Sequence, residues 1–242
     1  THGIGLLPLY AQMISSGAID PSTNPVTEKI TDSISRVDGC LAFGQLTGKE
    51  ATNIAIENAS SHGISVSAIR NGSHLGRLGE WAEEASSRNM VFLAFTNTGG
   101  GAKNVAPFGG HERKLSTNPI AFGVPTFSAL QHNIIVDFAT SQVSGSVIRE
   151  HDRTGEPLDS EWTITNSGKA VSDARSFMEG MGALLPLGGR VTGHKGYGLA
   201  IIAELLGGLA GGVVIGQDDP EWFSNAAMFI VIDPTRFLSI GE

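Results

Sequence analysis

The hydrophobic and polar positions of the chain follow two periodicities, one typical of helices and one typical of strands. Apolar residues at helical spacing predict helices over residues 4–16 and 77–88. Residues 64–69 read Ile-Ser-Val-Ser-Ala-Ile, which is the alternation of a half-buried strand. Apolar runs predict further strands over residues 90–95, 133–138 and 228–232. The pattern therefore predicts a fold in which helices and strands are interleaved.

One further helix is predicted from the signals at its two ends. Thr47 and Glu50 have the spacing of a capping box, which favours a helix start at this point. The pair His62-Gly63 ends this helix, with the glycine as a left-handed cap. Residues 149–178 are polar and irregular, which predicts a long excursion from the regular structure.

Composition allows a large core and disfavours two kinds of partner. The chain has 242 residues, 40% of them hydrophobic and 17% charged, so it can bury a core. A net charge of −8 disfavours nucleic acid, because phosphates need a basic surface. Residues 197–216 approach membrane-spanning length, but Glu204 and the glycines favour a buried helix followed by a loop and a strand, and no membrane association is expected. The single Cys40 excludes an internal disulfide and favours a reducing compartment, the cytoplasm.

Three histidines lie among glycines. They are His2 in Thr-His-Gly, His74 in Asn-Gly-Ser-His-Leu-Gly-Arg and His194 in Gly-His-Lys-Gly-Tyr-Gly. A histidine on a turn is approachable and titrates near neutral pH, so it can give or take a proton. Each one alone is more simply a solvated turn residue, but together they predict an active site assembled from distant segments. His74 also follows a predicted strand and precedes a predicted helix, where open α/β sheets bind ligands.

Several familiar motifs are excluded by their spacing. Residues 44–50 resemble a phosphate-binding loop, but the spacing is one residue short and Glu50 replaces the magnesium-binding hydroxyl. The triple glycine at 99–101 follows a predicted strand but precedes a loop, which disfavours a Rossmann fold. No histidine or cysteine spacing indicates a metal site. A metal-dependent aldolase or hydrolase is therefore the weakest of the function classes considered.

Seven ordered stretches carry a family likeness. They are Thr-His-Gly-Ile-Gly-Leu-Leu-Pro-Leu-Tyr (1–10), Arg-Asn-Gly-Ser-His-Leu-Gly-Arg (70–77), Val-Ala-Pro-Phe-Gly-Gly (105–110), Thr-Asn-Pro-Ile-Ala-Phe (117–122), Val-Asp-Phe-Ala-Thr-Ser (136–141), Leu-Pro-Leu-Gly-Gly (185–189) and His-Lys-Gly-Tyr-Gly-Leu (194–199). In this order they resemble the type 2 malate/L-lactate dehydrogenase family, nearest to its hydroxycarboxylate dehydrogenase branch. The family's N-terminal segment and C-terminal tail are missing, so the chain is expected to be a fragment of a longer protein.

The resemblance implies a fold and a reaction. The implied fold is α/β, with a non-Rossmann, mixed and largely antiparallel sheet and flanking helices, as in sulfolactate dehydrogenase. Residues 1–75 then belong to a helical, catalytic domain and residues 76–242 to a nucleotide-binding sheet domain. The implied reaction is reversible hydride transfer between NAD or NADP and a small-molecule 2-oxo or 2-hydroxy acid, carried out by a homodimer. An imino-acid reductase of the same family and a catalytically silent, metabolite-binding relative stay open as alternatives.

The resemblance also implies roles for individual residues. His2 matches the family's proton donor, with Thr1 and Asp137 completing a relay, whereas His74 matches a histidine that some members use as acid and base. Both histidines stay open as the donor, and the plainer role of Asp137 is to cap a neighbouring turn. Lys195 is expected at the start of an apolar helix, where backbone N–H groups and an ammonium both favour phosphate. The residues implied to contact the cofactor are His74, Asn97, Thr98, Asp137, Thr140, Ser141, Lys195 and Gly196.

One position departs from the family pattern. Many members carry an arginine four residues after the motif histidine, where it binds the substrate carboxylate, but here that position is Leu6. Arg70 and Arg77 are the candidates to replace it. An apolar Leu6 leaves room for a bulky or aromatic substituent, so phenylpyruvate-like acids are expected to be preferred over oxaloacetate.

Overall fold

One mixed sheet organises the part of the chain that the structure describes, which in this computed structural model is residues 3–100, 103–212, 223–237 and 239. Its strands are β1 (Val26–Lys29), β2 (Ile34–Asp38), β3 (Ile64–Gly72), β4 (Val91–Gly100), β5 (Ile120–Val124), β6 (Ile134–Phe138) and β9 (Phe223–Ile232), and β7 (Thr163–Ile164) and β8 (Ala183–Leu184) form a separate ribbon. The spatial order is β1-β2-β3-β9-β4-β5-β6. Every neighbouring pair is antiparallel except β2 and β3, which are parallel. The predicted mixed, largely antiparallel sheet is confirmed.

Helices flank this sheet, as predicted. They are α1 (Leu7–Ser15), α2 (Gly44–His62), α3 (Leu78–Ser87), α4 (Gly145–Thr154), α5 (Ala174–Met178) and α6 (Gly189–Gly211), with short 3-10 turns at Ile4–Leu6 and Pro234–Arg236. The helices predicted over 4–16 and 77–88 and the strands predicted from apolar runs are confirmed, several of them longer than predicted. No helix among the described residues is long and apolar enough to cross a membrane.

The two faces of the sheet are covered by different helices. Along β4, Phe92 and Ala94 point into the main core with Trp81 of α3, while Asn97 lies against α6 on the other face. Phe92 and Phe229 of β9 meet edge to face at the centre of this core, with ring centroids 5.1 Å apart. Because strand side chains alternate between faces, the α2 and α3 side of the sheet carries the main core.

Helix α6 begins earlier than its sequence indicates. Its first residue is Gly189, after Gly188 in the left-handed conformation (φ 96°), so the predicted start near Tyr197 is wrong. The glycines that suggested a turn permit close packing instead. A side chain at Gly196 would collide with the backbone of Leu187, and one at Gly193 would lie 3.1 Å from the ring of Phe108. His194 and Lys195 therefore lie inside a helix rather than at its start.

Glu204 shows how this apolar helix accommodates a charge. Its carboxylate accepts a hydrogen bond of 2.7 Å from the side-chain amide of Asn118. Burial raises the pKa of the Glu204 carboxyl, and this hydrogen bond partly offsets the rise. One face of α6, with Ala200 and Ala203, is buried, but Ile202 and Leu209 are exposed, so the prediction of a buried helix is confirmed only in part.

Four further predictions differ in how they compare with the structure. The capping box is wrong, because α2 begins at Gly44, Thr47 turns back to the carbonyl of Phe43, and Glu50 accepts from Thr27 at 2.6 Å. The predicted C-terminal cap at Gly63 is confirmed (φ 87°). Residues 149–178 are more regular than predicted, since α4, β7 and α5 include parts of them around a small second core. The division of the chain at residue 75 stays a prediction, although strands from both sides of that position share one sheet.

Candidate functional site

A cleft of three adjoining cavities lies beside the loop between β3 and α3. The central cavity, of about 180 Å³, is lined by His74 and Thr96 and by the start of α4. The Asp137 cavity, of about 270 Å³, shares Gly76 and several other wall residues with it. The Leu6 cavity, of about 420 Å³, joins the central cavity at Ser146 and Arg149. Segments that are far apart in sequence thus meet at one cleft.

His74 is held in one orientation by a short chain of hydrogen bonds. Its Nδ1 lies 2.9 Å from the hydroxyl of Tyr10 and accepts from the backbone N–H of Gly76 at 3.3 Å. Gln45 donates in turn to the Tyr10 oxygen at 2.8 Å. Because a backbone N–H can only donate, Nδ1 is the acceptor, and the neutral imidazole carries its proton on Nε2. Desolvation by burial raises the pKa of Tyr10, so its hydroxyl stays protonated at neutral pH.

The loop that carries His74 is anchored by contacts with β9, α3 and α2. The backbone N–H of Leu75 donates to the side chain of Asn225 on β9 at 3.0 Å, and the indole of Trp81 donates to the Leu75 carbonyl at 3.2 Å. Gly44 packs directly against the backbone carbonyl of His74. These contacts place the predicted histidine at the end of a strand, before a helix, as expected from the sequence.

Asp137 caps the start of α3. One carboxylate oxygen accepts from the backbone N–H of Gly79 at 2.7 Å, which satisfies one of the unpaired donors of the first helical turn. This is the plainer role that the sequence allowed for it. Asp137 also lines its own cavity next to the central one. Its place in a relay with Thr1 and His2 stays a prediction, because both of those residues lie outside the described part of the chain.

The hydroxyls of Thr140 and Ser141 are engaged within the fold. Thr140 donates to the carbonyls of Thr117 and Asn118, and Ser141 donates to the carbonyl of Val143 at 2.7 Å. Both residues are buried. These bonds shape the turn from β6 into α4, and a direct contact of either side chain with a cofactor stays a prediction.

The remaining predicted cofactor contacts are dispersed. Asn97 is buried against α6, and Thr98 is the next residue of β4. Lys195 is exposed on the second turn of α6, next to the buried Gly196, and lines none of the three cavities described above. The argument that Lys195 stands at a helix N-terminus is therefore wrong, and its cofactor contact stays a prediction.

The candidates to replace the missing arginine are already paired. Arg70 donates to Asp38 at 2.9 Å, and Arg77 donates to Glu83 at 2.6 Å. Leu6 is almost fully buried, with 1% of its surface exposed, and forms part of the wall of the cavity named after it. Arg77 lines the Asp137 cavity and Arg153 the Leu6 cavity, but each is paired with a glutamate. Arg149 lines both the central and the Leu6 cavity without such a partner among the residues that the structure describes. Sequence reasoning missed it because nothing in its local pattern distinguishes it from a surface arginine.

The Asp137 cavity has features that fit the nicotinamide cofactor implied by the resemblance. A cofactor ribose or carboxamide presents hydrogen-bond donors, and the Asp137 carboxylate has acceptor capacity beyond its single bond to Gly79. Gly79 lets backbone and carboxylate approach closely, since a side chain there would lie 2.5 Å from Arg77 and 3.1 Å from Asp137. No group of three metal-ligating side chains is present among the described residues.

Known proteins resemble the chain over its whole length. The family model for malate/L-lactate dehydrogenase matches residues 1–242. An L-lactate dehydrogenase from Cupriavidus necator is 37% identical over 99% of this chain and 68% of its own length. An L-sulfolactate dehydrogenase from Methanocaldococcus jannaschii is 33% identical over 100% of this chain and 68% of its own length. The chain thus spans about two thirds of the length of these relatives.

Solved structures show the same fold. Malate dehydrogenase from Entamoeba histolytica superposes with a TM-score of 0.88 at 28% identity, covering 96% of this chain and 66% of that one. A delta1-piperideine-2-carboxylate reductase from Pseudomonas syringae superposes with a TM-score of 0.83 at 32% identity, covering 97% and 70%. On the full-length match of the family model, supported by these relatives, the chain belongs to the malate/L-lactate dehydrogenase family.

Proposed function

We propose that the protein is an NAD(P)-dependent oxidoreductase that interconverts a 2-oxo acid and the corresponding 2-hydroxy acid. The observation that carries the proposal is His74, whose ring is fixed in one tautomer at the wall of a cavity. Reduction of a ketone needs a proton donor at the carbonyl oxygen, and a histidine held in this way suits that task. When bound, the nicotinamide supplies the hydride.

His74 delivers its proton from Nε2, the ring nitrogen opposite the bond to Tyr10. The Tyr10 hydroxyl can donate to Nδ1 of the neutral ring or accept from Nδ1 of the imidazolium, so the ring keeps its partner in both charge states. The imidazolium then gives the Nε2 proton to the carbonyl oxygen, and the reverse reaction returns it. Tyr10 and Gln45 act as positioning residues. His2 remains the alternative donor implied by the family likeness.

The Asp137 cavity is the part of the cleft proposed for the cofactor. Asp137 would accept from cofactor donors there with the acceptor capacity that its bond to Gly79 leaves unused. The proposed cofactor is NAD or NADP. We propose that it also contacts Asn97, Thr98 and Lys195, together with Thr140 and Ser141 in the turn after β6.

The relatives support the substrate class. Lactate, malate and sulfolactate, which appear in the names of similar dehydrogenases, are all acids with a hydroxyl beside a carboxylate. A second candidate is an imino-acid reductase, favoured by the similarity to the piperideine-carboxylate reductase. A C=N bond beside a carboxylate presents nearly the same geometry, and the same histidine would protonate its nitrogen.

The apolar wall at Leu6 favours substrates with a bulky apolar substituent. Ile4 and Leu6 line the cavity that opens from the central one, and contact with apolar surface stabilises a buried Leu-sized group by about 1.5–3 kcal/mol. We therefore expect a higher kcat/KM for phenylpyruvate than for oxaloacetate, and expect Leu6→Arg to shift this ratio toward oxaloacetate.

The test follows nicotinamide absorbance with pyruvate, oxaloacetate, phenylpyruvate and a cyclic imino acid, each with NADH and with NADPH. Oxidation of either cofactor by a 2-oxo acid is the expected result. Turnover with the imino acid alone would select the second candidate. Binding of cofactor with no turnover on any acid would identify a catalytically silent relative. A preference for oxaloacetate over phenylpyruvate would contradict the role given to Leu6.

The proposed assembly is a homodimer in a reducing compartment such as the cytoplasm. Helix α6 supports a second copy, because it exposes large apolar side chains along its length, with Val191 83%, Ile202 48% and Leu209 73% exposed. Cys40, the single cysteine of the sequence, has no disulfide partner. A mass from light scattering that corresponds to one chain would contradict the dimer.

A further inference from the structure

Arg149 differs from the other arginines in what it contacts. Its guanidinium makes one hydrogen bond, from Nη2 to the hydroxyl of Ser146 at 3.1 Å. Every other arginine of the described residues donates to a carboxylate or to a backbone carbonyl: Arg36, Arg70, Arg77, Arg88, Arg113, Arg153, Arg175, Arg190 and Arg236. Most donors of the Arg149 fork are therefore available to an anion.

The position of Arg149 makes this fork accessible from the cleft. It stands on the second turn of α4 and lines both the central cavity and the Leu6 cavity. Part of its side chain is open to solvent, while the surrounding atoms desolvate the guanidinium enough to lower its pKa. The group nevertheless stays charged at every physiological pH.

The start of α4 adds a second preference for negative charge at the same place. Ser144, Gly145 and Ser146 line the central cavity, and Ser144 at the N-cap makes no side-chain bond to the helix. The first N–H groups of a helix lack partners within it and carry the positive end of the helix dipole. An anion in this cavity would meet both these N–H groups and the guanidinium.

Thr96 adds an unpartnered hydroxyl to the wall of this cavity. Its side chain is 2% exposed and lines the central cavity, and its hydroxyl has no hydrogen-bond partner among the described residues. Buried hydroxyls are nearly always bonded. A ligand oxygen would supply the missing partner.

His74 lies on the wall of this same cavity. In a 2-oxo acid the carboxylate carbon is bonded to the carbonyl carbon, so an anchor for one fixes the other within a bond length or two. A carboxylate held at Arg149 therefore brings the neighbouring carbonyl into the small space that His74 borders. The substituent can then extend into the Leu6 cavity, which Arg149 also borders.

We propose that Arg149, with the first-turn N–H groups of α4, binds the carboxylate of the 2-oxo acid and replaces the arginine that Leu6 lacks. The inference rests on the proposed function for the identity of its ligand. Arg149 is thus a binding residue that fixes which end of the substrate faces His74.

The test measures binding of an unreactive analogue as well as turnover. Oxamate has the carboxylate and carbonyl of a 2-oxo acid, and oxamide is its neutral counterpart of similar size. Isothermal titration with each compound, in the presence of NADH and of NADPH in turn, compares the wild-type protein with Arg149→Gln and Arg149→Lys. Arg88→Gln is the matched control, because Arg88 pairs with Glu84 on α3 and lines none of the three cavities.

We expect the oxamate Kd to rise about 10- to 100-fold in Arg149→Gln, as for the loss of a charge-assisted pair. Arg149→Lys should lie between, because it keeps the charge but loses the planar fork. Cofactor Kd and melting temperature should match those of the wild type, since Arg149 bonds only to Ser146 within the fold. Oxamide should bind weakly to all variants.

Equal oxamate affinity in Arg149→Gln and the wild type overturns the inference, as does wild-type affinity for oxamide equal to that for oxamate, or no binding of oxamate at all. The two proposals fail separately. Turnover of 2-oxo acids with an unchanged KM in Arg149→Gln keeps the proposed function and removes this site. Oxamate binding that depends on Arg149, without turnover, keeps the site and removes the proposed reaction.

Discussion

His74→Gln is expected to lower kcat for 2-oxo acid reduction by about 10²–10⁴-fold, the usual contribution of a placed acid or base. Glutamine keeps a polar side chain of similar reach but cannot carry a transferable proton at neutral pH. The KM for the cofactor should change less than kcat, because the proton donor acts on the carbonyl oxygen, although the family likeness also implies a contact between His74 and the cofactor. Steady-state kinetics with a single 2-oxo acid and its preferred cofactor measure both quantities.

Two comparisons make the His74 result specific. His62→Gln is the matched control, since His62 is an exposed histidine at the end of α2 that bonds to a backbone carbonyl. Tyr10→Phe removes the hydroxyl partner of Nδ1 and keeps the bond from the Gly76 N–H, so it should lower kcat less than His74→Gln and change the pH profile of kcat. If His74→Gln keeps wild-type kcat while His2→Gln loses it, His2 is the proton donor and the mechanism proposed for His74 is wrong.

Gly44→Ala is expected to destabilise the protein by about 1–3 kcal/mol, the usual cost of overpacking a core. A side chain at Gly44 would collide with the backbone carbonyl of His74 and lie 2.8 Å from that of Ser73. Backbone cannot move aside as a flexible side chain can, so the His74 loop must shift. Denaturant unfolding measures the loss of free energy, and kcat should fall with it because the loop positions the proposed donor.

Gly198→Ala is the control for this substitution. Gly198 also lies within a helix, but nothing comes within 4 Å of a side chain there and its φ is not positive. Alanine should then stabilise α6 by about 0.5–1 kcal/mol, because it restricts the unfolded chain. An equally stable Gly44→Ala protein would show that the His74 loop does not depend on close packing against α2.

The sequence predicted those parts of the fold that local periodicity encodes. Alternation over 64–69 places the apolar side chains on one face of that strand, whereas the apolar runs of the other strands place them on both faces. Each pattern involves only residues that are neighbours in the sequence. The position of His74 at the end of a strand and before a helix followed directly from these elements. The ordered motifs identified the family, which the full-length match of the family model confirms.

Where glycines were concerned, sequence alone misled. The stretch around Lys195 reads as a turn, because glycine has low helix propensity. In the structure Gly193 and Gly196 lie against Phe108 and Leu187, and the close approach outweighs the propensity cost. The same applies at Gly44, which packs against the His74 loop. Helix α2 begins there, before the predicted capping box.

By itself, the sequence determined the class of fold, the family, and the residue types able to transfer a proton. Only the tertiary structure decided which side chains share a cleft, because this depends on contacts between segments that are far apart in the chain. Tyr10 reaches His74 across 64 positions, and Asn225 anchors the same loop across 150. Arg70 and Arg77 are engaged by carboxylates that no local pattern assigns, whereas Arg149 lines the central cavity without a carboxylate partner in the described part of the chain. Charge pairing is settled by distance in space, and the sequence specifies that distance only through the folded chain.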